Sequence, residues 1–568
     1  MRKKKIMISL CILCMVCQTS CGLTEKEQNN QKQEKEVEQK KEKETETKEE
    51  IEKMKDENIE KKTELPEGSL EEDEVVIKRS LQYNPITGQD ENGAWQYGGD
   101  PAVLVDKDTV YLYTGRDASS DKEVEKAIYV MREWVCYSTK DLEHWEYEGS
   151  IMKADTKSIP WATGSTSAWA SQVAKHYDAK KEKDQYYLYY CTWDKTSAGK
   201  MSIGVAVSDS PTGPFHDKGE PLVKGTLTEP QTSNWNDIDP TVWVETDDSG
   251  EEHRYLAWGN GRFYLCELNE DMISVKDLNG DGKITCGYSA EKADILAQGD
   301  GINSFTEAPW LYRRTDENGK YYGPYYLFYA NGWREKMAYA TTENLLEGKW
   351  KFGKVFMMPT ATSNTNHMAV FDFQGKTYFI YHNGSLPGGN GYRRTPCITE
   401  LHFNEDGSIE AIQETASGLG GAVFSIYQGE EYISHKPFLN SSADNDYPYT
   451  DIELGSNLSD VEQDKEWVIT AGKADTSKAA YISIQSENKP GLYITANEDK
   501  TVTLAQDIDA SEDTAKKQTF RTRKGLNGKE NTISFESVSQ QGMYLTMKDN
   551  ILCLTDGTDK EATVFSIK

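Results

Sequence analysis

The sequence is short of positive charge, of long apolar runs and of paired cysteines. Its 568 residues carry 64 Lys and Arg against 94 Asp and Glu, which gives a formal net charge of -30 at pH 7. A protein that binds nucleic acid needs a basic surface, so this composition argues against a nucleic-acid partner. The apolar run at residues 6–16 is too short to span a bilayer.

The ten cysteines lack the spacing of a disulfide framework or a zinc site. Four of them lie within the first 21 residues, and the other six form no CxxC pair. Most of these six sit in aromatic or apolar runs such as YYLYYC. We therefore expect free thiols that pack as small hydrophobic groups.

The N-terminus has the features of an export signal. A basic MRKKK segment precedes the apolar run, and small residues lead into Cys21. Residues 1–21 resemble a bacterial lipoprotein signal, which implies an extracellular protein held on the bacterial membrane by a lipid on Cys21; plain secretion is the alternative. Residues 22–77 are mostly Glu, Lys, Gln and Thr, and they predict a charged, disordered tether.

One pattern recurs between residues 78 and 435. Each copy opens on a polar residue, continues as an apolar strand, turns through polar residues and closes with an aromatic strand. The copies open at Asp100, Gln172, Asp239, Glu307 and His367. Units of about 60 to 70 residues, each able to supply about four strands, predict an all-β fold with a five-bladed β-propeller.

A second module is expected over residues 440–568. The segment ISIQSENKPGLYIT from Ile482 is echoed by ISFESVSQQGMYLT from Ile533, and a weaker copy surrounds Trp467. Three such units predict a β-trefoil-like domain after the propeller, with a generic β-sandwich as the alternative.

Carboxylates and a histidine occupy the openings of four repeats: Asp100, Asp239, Glu307 and His367. The innermost strands of a propeller line its central channel, so these side chains should meet there. Three acids held together repel one another and are costly to desolvate, which marks a functional site. Cleavage of a glycosidic bond needs one protonated and one ionised carboxyl group, and this set supplies both.

The motifs GGDP, NDIDPTV, SFTEAPWLY and NHMAVFDFQGKTYFIYHNG resemble those of glycoside hydrolase family 43. The resemblance covers about residues 78–432. It implies inversion of the anomeric centre, with Asp100 as general base and Glu307 as general acid. Asp239 would raise the pKa of Glu307 and orient it, and no cofactor would be required. His367 would approach a central water or a structural calcium, although a lone histidine is also explained as a core residue.

Substrate-binding residues are less sharply predicted. The resemblance implies that Arg393 or Arg394 hydrogen-bonds the sugar; adjacent strand residues face opposite ways, and the sequence leaves the choice open. Trp169 and Trp333 are candidate pocket walls, with packing as the alternative role.

The C-terminal module resembles the arabinofuranose-binding β-trefoil. Where that family carries a histidine three residues after its motif tyrosine, this chain has Ala496 and Met547, so sugar binding and a structural role both stay open. The predicted function is removal of α-L-arabinofuranosyl residues from arabinoxylan or arabinan-type plant cell-wall polysaccharide. The alternatives are a β-xylosidase acting on xylo-oligosaccharides and a non-catalytic glycan-binding surface lipoprotein.

Overall fold

The computed structural model describes residues 62–81, 83–229, 233–247, 249–438 and 448–568. The predicted signal peptide, Cys21 and the first part of the predicted tether lie outside these ranges. Within them, no helix combines the length and the apolar character that crossing a membrane requires. A short antiparallel pair comes first: β1 (Thr63–Glu64) and β2 (Arg79–Ser80).

Five antiparallel or mixed sheets follow, one for each predicted repeat. The first sheet contains β3 (Gly99–Asp106), β4 (Thr109–Asp117), β5 (Met131–Thr139) and β6 (Glu146–Lys153), with α1 (Asp121–Val124) between β4 and β5. The second contains β7 (Ser171–Asp178), β8 (Lys183–Trp193), β9 (Met201–Ser208) and β10 (His216–Asp217). The third contains β11 (Thr241–Thr246), β12 (Glu252–Trp258), β13 (Phe263–Glu267), β14 (Cys286–Gly287) and β15 (Ile295–Gln298).

The fourth sheet contains β16 (Phe305–Thr315), β17 (Tyr321–Asn331), β18 (Lys336–Thr342) and β19 (Lys351–Met357). The fifth contains β20 (Ala369–Phe373), β21 (Lys376–Asn383) and β22 (Thr395–Glu400). Separate hydrophobic clusters join neighbouring sheets around the ring. Each sheet therefore buries its two faces against its neighbours, and the predicted five-bladed propeller is confirmed.

The ring closes where the chain before the first blade meets the fifth blade. The amide of Ile86 donates to the carbonyl of Pro396 at 2.8 Å, and the amide of Gly98 donates to the carbonyl of Arg394 at 2.7 Å. These bonds satisfy backbone groups that the edge of blade five would otherwise expose. They also place the segment that leads into β3 beside the segment that leads into β22.

The C-terminal strands form one sheet that closes on itself. Its members are β23 (Phe424–Gln428), β24 (Glu431–His435), β25 (Ile452–Ser456), β26 (Glu466–Ala471), β27 (Tyr481–Ser486), β28 (Leu492–Ala496), β29 (Val502–Gln506), β30 (Phe520–Lys524), β31 (Ile533–Ser537), β32 (Tyr544–Lys548), β33 (Ile551–Thr555) and β34 (Ser566–Ile567). The pairings β24–β25 and β27–β30 close it, and β34 adds to the side of β23. A 3₁₀ turn (Glu462–Lys465) and α2 (Glu512–Lys517) connect strands. This arrangement agrees with the predicted trefoil-like module.

The structure differs from the sequence-based boundaries at two places. Residues 62–77, expected in the tether, are docked on the C-terminal sheet: the amide of Val75 donates to the carbonyl of Thr522 at 3.1 Å, and Glu74 pairs with Arg521 at 3.1 Å. Strands β23 and β24, expected in the propeller, belong to the C-terminal sheet. The first segment is short and polar, so its composition gives no sign of where it packs. The second alternates apolar and polar residues like the strands of both modules, and its Phe424, Ile426 and Ile433 are buried in the C-terminal core.

The loop over residues 384–394, between β21 and β22, also rests on the C-terminal module. The side chain of Gln506 donates to the carbonyl of Gly389 at 3.1 Å, and the amide of Gly388 donates to the carbonyl of Asp507 at 2.9 Å. Nearby, Ser417 Oγ donates to Glu487 at 2.6 Å. The loop that leads to Arg394 is therefore held by both modules.

The six cysteines of the described ranges are free, as predicted, and four of them are buried. Cys286 and Cys553 are partly exposed. Burial raises the pKa of all six thiols, which suits packing rather than nucleophilic chemistry.

Candidate active site

The predicted acids lie where innermost strands begin, and the backbone there is irregular. Asp100 and Asp239 have left-handed φ values of 56° and 59°, and Ala308, the residue after Glu307, has a φ of 55°. Register shifts accompany the first and last of these, between Gly99 and Ala102 and around Glu307. A bulge at a strand end re-aims a side chain. Blades one and four carry one, and blade three shares only the left-handed backbone at Asp239.

Asp100 and Asp239 flank His367, and Glu307 lies close to Asp239. The Nδ1 atom of His367 lies 3.8 Å from Asp100 Oδ1 and 3.9 Å from Asp239 Oδ2. Asp239 Oδ2 also accepts a hydrogen bond of 2.9 Å from the amide of Ala308, directly after Glu307. Residues from blades one, three, four and five therefore share one channel, as the repeat pattern predicts.

Arg394 holds Asp100 in the ionised form. Its Nη1 atom donates to Asp100 Oδ1 at 2.6 Å, and its Nη2 atom donates to Asp100 Oδ2 at 3.2 Å. Burial is the largest single influence and raises the pKa of Asp100, but the charge and hydrogen bonds of Arg394, with contributions from the two channel histidines, together outweigh it and the pKa is lowered. The close approach needs Gly99, because a Cβ there would overlap the guanidinium.

The same guanidinium is also hydrogen-bonded to Asp117, at the end of β4. Arg394 Nε donates to Asp117 Oδ2 at 2.9 Å, and the amide of Arg394 donates to the same oxygen at 2.8 Å. Arg393 pairs instead with the exposed carboxylate of Asp121 in α1. The structure thus brings Arg394, and not Arg393, into contact with the acids.

The surroundings of Glu307 favour its protonated form, whereas those of Asp100 favour the ionised form. The carboxyl group of Glu307 accepts a hydrogen bond of 2.6 Å from Asn260 and lies beside the carboxyl group of Glu335. Burial raises the pKa of Glu307 above its ordinary value despite these contacts. Burial and then the nearby charge of Glu307 raise the pKa of Asp239 as well.

The channel histidines are neutral. Burial lowers the pKa of His367 to about 4 and lowers that of His382 well below its usual range. His382 Nδ1 accepts from the amide of Asp100 at 3.1 Å, so this ring orients the start of β3.

The side chains in contact around His367 do not suit direct coordination of calcium. Calcium prefers about six to eight oxygen ligands, whereas Asp100 is already occupied by the cation of Arg394. Among the described residues, no group of three or more His, Cys, Asp or Glu side chains is placed to hold a metal ion. We assign no chemical step to a metal.

The predicted tryptophans occupy different environments. Trp169 is half-buried and lies edge-on to Tyr129, with ring centroids 6.4 Å apart. Tyr129 in turn faces the guanidinium of Arg394, whose carbon is 4.9 Å from the ring centroid. Trp169 therefore lies near the acids through one intervening ring. Trp333 is 61% exposed and follows β17.

Five residues around the acids are absent from the sequence-based set: Asp117, Tyr129, Asn260, Glu335 and His382. Asn260 and His382 carry a signal that could have found them. Both lie at the end of a blade's second strand, in the repeated segments WGNG, YANG and YHNG. Asp117 closes the corresponding strand of blade one. Glu335 and Tyr129 lie in loops without a repeat signature.

Comparison with known proteins identifies families that match the two modules of this chain. The sequence profile described as "Glycosyl hydrolases family 43" matches residues 95–409, more than half of the chain. The protein belongs to glycosyl hydrolase family 43. A second profile, "Alpha-L-arabinofuranosidase B (ABFB) domain", matches residues 430–566. This family 43 enzyme therefore combines a hydrolase propeller with a C-terminal module of the kind expected from the sequence.

Curated relatives of this family 43 enzyme are about a quarter identical to it over the aligned residues. A "Xylosidase/arabinosidase" of Bacteroides ovatus is 27% identical over 353 residues, covering 56% of this chain and 95% of the relative. An "Arabinoxylan arabinofuranohydrolase" of Paenibacillus polymyxa is 26% identical over 351 residues, covering 57% of this chain and 51% of the relative.

Solved structures match the same part of the chain. A family 43 β-xylosidase/α-arabinofuranosidase from a compost microbial metagenome, crystallised with xylotriose in calcium-free form, is 29% identical and covers 56% of this chain and 94% of its own, with a TM-score of 0.42. An α-L-arabinofuranosidase of Clostridium thermocellum is 28% identical and covers 55% and 92%, with a TM-score of 0.41.

Proposed function

We propose that this family 43 enzyme removes α-L-arabinofuranosyl residues from arabinoxylan or arabinan-type polysaccharide, with inversion at the anomeric carbon. The observation that carries the proposal is that the pKa values of two carboxyl groups in one channel are shifted in opposite directions. Arg394 favours the ionised form of Asp100, whereas burial favours the protonated form of Glu307. A pair whose pKa values are pushed apart supplies a base and an acid at the same pH.

In this proposal, Asp100 removes a proton from a water molecule that attacks the anomeric carbon. Glu307 donates its proton to the departing glycosidic oxygen, so that one sugar–oxygen bond breaks as another forms. Asp239 holds the backbone after Glu307 through the amide of Ala308 and opposes ionisation of Glu307 when it is itself charged. An inverting enzyme needs roughly 6.5 to 9.5 Å between base and acid to admit the water.

The preference for arabinofuranose is supported by the C-terminal domain that follows the catalytic domain and by the name of one relative. The C-terminal profile is that of an arabinofuranosidase B domain, and one relative is named an arabinoxylan arabinofuranohydrolase. β-Xylosidase activity is the second candidate, because the Bacteroides ovatus relative is named a xylosidase/arabinosidase. Arg394 with Tyr129 beside it is proposed to bind the sugar over the acids; Trp169 would support this wall.

Aryl pentosides test both parts of the proposal. We expect release of 4-nitrophenol from the α-L-arabinofuranoside faster than from the β-D-xyloside, and proton NMR should show the inverted anomer as first product. Glu307→Gln should lose at least about 100-fold with a poor leaving group and far less with dinitrophenol, which needs no acid. Full turnover by Glu307→Gln with both leaving groups would contradict the assignment. No hydrolysis of either pentoside, arabinan or arabinoxylan by the intact protein would favour a glycan-binding lipoprotein.

We also propose that the protein is exported and anchored by a lipid on Cys21. The support is the basic and apolar N-terminal sequence that ends at this cysteine. Cells grown with labelled palmitate should label the protein, and Cys21→Ser should abolish the label. An unlabelled intact protein in the medium would instead support plain secretion.

A further inference from the structure

A cavity of about 660 Å³ opens between the propeller and the C-terminal module. Its volume falls within the range of about 300 to 1,000 Å³ that small-molecule sites occupy. The propeller supplies one wall, and residues 470–515 of the C-terminal module supply the other. None of the residues Asp100, Asp239, Glu307 and Arg394 lines it, so the cavity is separate from the channel of the acids.

Aromatic side chains contribute to both walls of this cavity. Trp95 and Trp145 of the propeller line it together with Tyr493 of β28, and so does Tyr83, which is 41% exposed. Both tryptophans are half-buried, so neither ring is sealed in a core. Trp and Tyr combine a flat apolar face with a polar edge, which suits a sugar ring with its apolar faces and its rim of hydroxyl groups.

Local structure holds both tryptophans in place. Trp95 lies on a hairpin in which the amide of Gln96 donates to the carbonyl of Gly88 at 2.8 Å. Trp145 Nε1 donates to the carbonyl of Leu142 at 3.1 Å. A ligand that stacks on these rings does not have to order them first, which reduces the free-energy cost of binding.

The C-terminal wall adds an ion pair. Lys473 Nζ lies 2.5 Å from Asp507 Oδ2 and 2.6 Å from Gln518 Oε1. The same atom lies 4.1 Å from the ring centroid of Tyr493. The carbonyl of Asp507 accepts a hydrogen bond from the amide of Gly388, so this pair is also tied to the propeller loop over residues 384–394.

The charges of the lining disfavour an anionic ligand. The charged lining residues that the structure describes are three acids and one cation: Glu143, Asp507, Glu512 and Lys473. Asp507 neutralises Lys473, and Glu512 pairs with Lys516 in α2. This lining therefore lacks a spare cation that could attract a phosphate or a uronate. Its aromatic faces and hydrogen-bonding groups suit a neutral ligand rich in hydroxyl groups.

Resting on the polysaccharide substrate proposed above, we propose that this cavity is a second carbohydrate site, which binds neutral pentose units of the polymer while the channel cleaves another unit. The site needs both modules, because Trp95 and Trp145 come from one and Lys473 from the other. A polymer held at two places has a higher effective concentration at the acids. An aryl pentoside carries a single sugar and gains nothing from the second place.

Affinity electrophoresis in gels that contain soluble arabinoxylan measures polymer binding directly. The full chain carries Glu307→Gln in this measurement, so that the polymer stays intact. Adding Trp95→Ala should raise the apparent Kd at least about fivefold, the factor that loss of an aromatic anchor typically costs.

Kinetics provide the second readout. In the otherwise unaltered enzyme, Trp95→Ala should lower kcat/KM on soluble arabinoxylan at least about fivefold and leave kcat/KM on 4-nitrophenyl α-L-arabinofuranoside unchanged. Tyr83→Ala should act in the same direction in both measurements. Near-UV circular dichroism checks folding, and either folded variant suffices for the test.

Tyr288→Ala is the matched control. Tyr288 is 70% exposed and does not line the cavity. Its loss should change neither the binding nor the hydrolysis of arabinoxylan.

Unchanged arabinoxylan binding by a folded cavity variant, or no binding by Glu307→Gln itself, would overturn the inference and leave a solvent-filled gap between the modules. An equal loss in Tyr288→Ala, or an equal loss of activity on the aryl arabinofuranoside, would overturn it as well. Failure of the proposed function looks different. In that case the unaltered enzyme would hydrolyse neither the aryl pentosides nor arabinan nor arabinoxylan, a result that does not depend on the cavity variants.

Discussion

One guanidinium joins two carboxylates that belong to the same blade: Arg394 donates to Asp100 at 2.6 Å and to Asp117 at 2.9 Å. Arg394 comes from blade five and both acids come from blade one. The contact exists because the ring closes there, with the amide of Gly98 bonded to the carbonyl of Arg394. Closure of the fold and ionisation of the proposed base therefore depend on the same residue.

Replacing Arg394 with methionine should raise the pKa of Asp100, because the cation that offsets burial is lost. The acid limb of kcat/KM should move to higher pH by about one unit or more, equivalent to about 1.4 kcal/mol per unit. Activity at neutral pH should fall at least about 100-fold, since the proposed sugar contact is lost too. Steady-state kinetics between roughly pH 4 and pH 8, the range in which the proposed base and acid titrate, measures both effects.

Arg393→Met is the control for this experiment. It removes the same charge one residue earlier, where the partner is the exposed Asp121. Its acid limb should coincide with that of the unaltered enzyme. A shift equal to that of Arg394→Met would show that net charge, rather than the contact with Asp100, controls ionisation.

Removing the side-chain amide of Asn260 should shift the alkaline limb of the pH profile of kcat/KM. Asn260 donates to Glu307 at 2.6 Å and so favours the ionised acid. In Asn260→Ala the pKa of Glu307 should rise, and the alkaline limb of kcat/KM should move up by a few tenths to about one unit. Asn331 occupies the corresponding place in blade four but donates to the carbonyl of Asn303, so Asn331→Ala should not move the limb. A downward shift in Asn260→Ala would contradict the assigned hydrogen bond.

A methyl group at position 99 should disable the site sterically. Its Cβ would overlap the guanidinium of Arg394, which cannot move away without leaving Asp100 and Asp117 unpaired in a buried site. Breaking a buried ion pair costs about 3 to 5 kcal/mol, so Gly99→Ala should lose at least about 100-fold in kcat/KM and should unfold at lower temperature. At Gly88 a Cβ would meet nothing within 4 Å, and Gly88→Ala should match the unaltered enzyme in both measurements.

Glu487 should make the free energy of unfolding depend on pH. Burial raises its pKa to about 7 in the folded state, against about 4.3 in the unfolded chain. Protonation therefore stabilises the fold most below about pH 4, and this contribution is lost as pH rises through about 7. The full loss is at most about 3.7 kcal/mol. Because Gln at this position does not titrate, Glu487→Gln should gain thermal stability relative to the unaltered protein at pH 8 compared with pH 5. Calorimetric scans at the two pH values measure the difference, and a constant difference would contradict the raised pKa.

The sequence predicts those features that repeat. Asp100, Asp239 and Glu307 open copies of one pattern, and a propeller places such openings in its channel. The number of blades and the trefoil-like module follow from repetition as well. Arg394 could not be distinguished from Arg393 because the choice depends on the conformation of the loop between β21 and β22, which rests on the C-terminal module. Glu335 escaped prediction because it lies between β17 and β18 in a segment without a repeat signature.

The two contacts that bind loop 384–394 to Gln506 and Asp507 have a consequence for domain dissection. A fragment ending after the propeller would lack part of the support for the loop that delivers Arg394, and would also lose the sheet into which β23 and β24 are woven. Truncation would therefore impair the catalytic propeller itself. Weak activity of such a fragment on small aryl sugars would not reveal whether the deleted module binds polysaccharide.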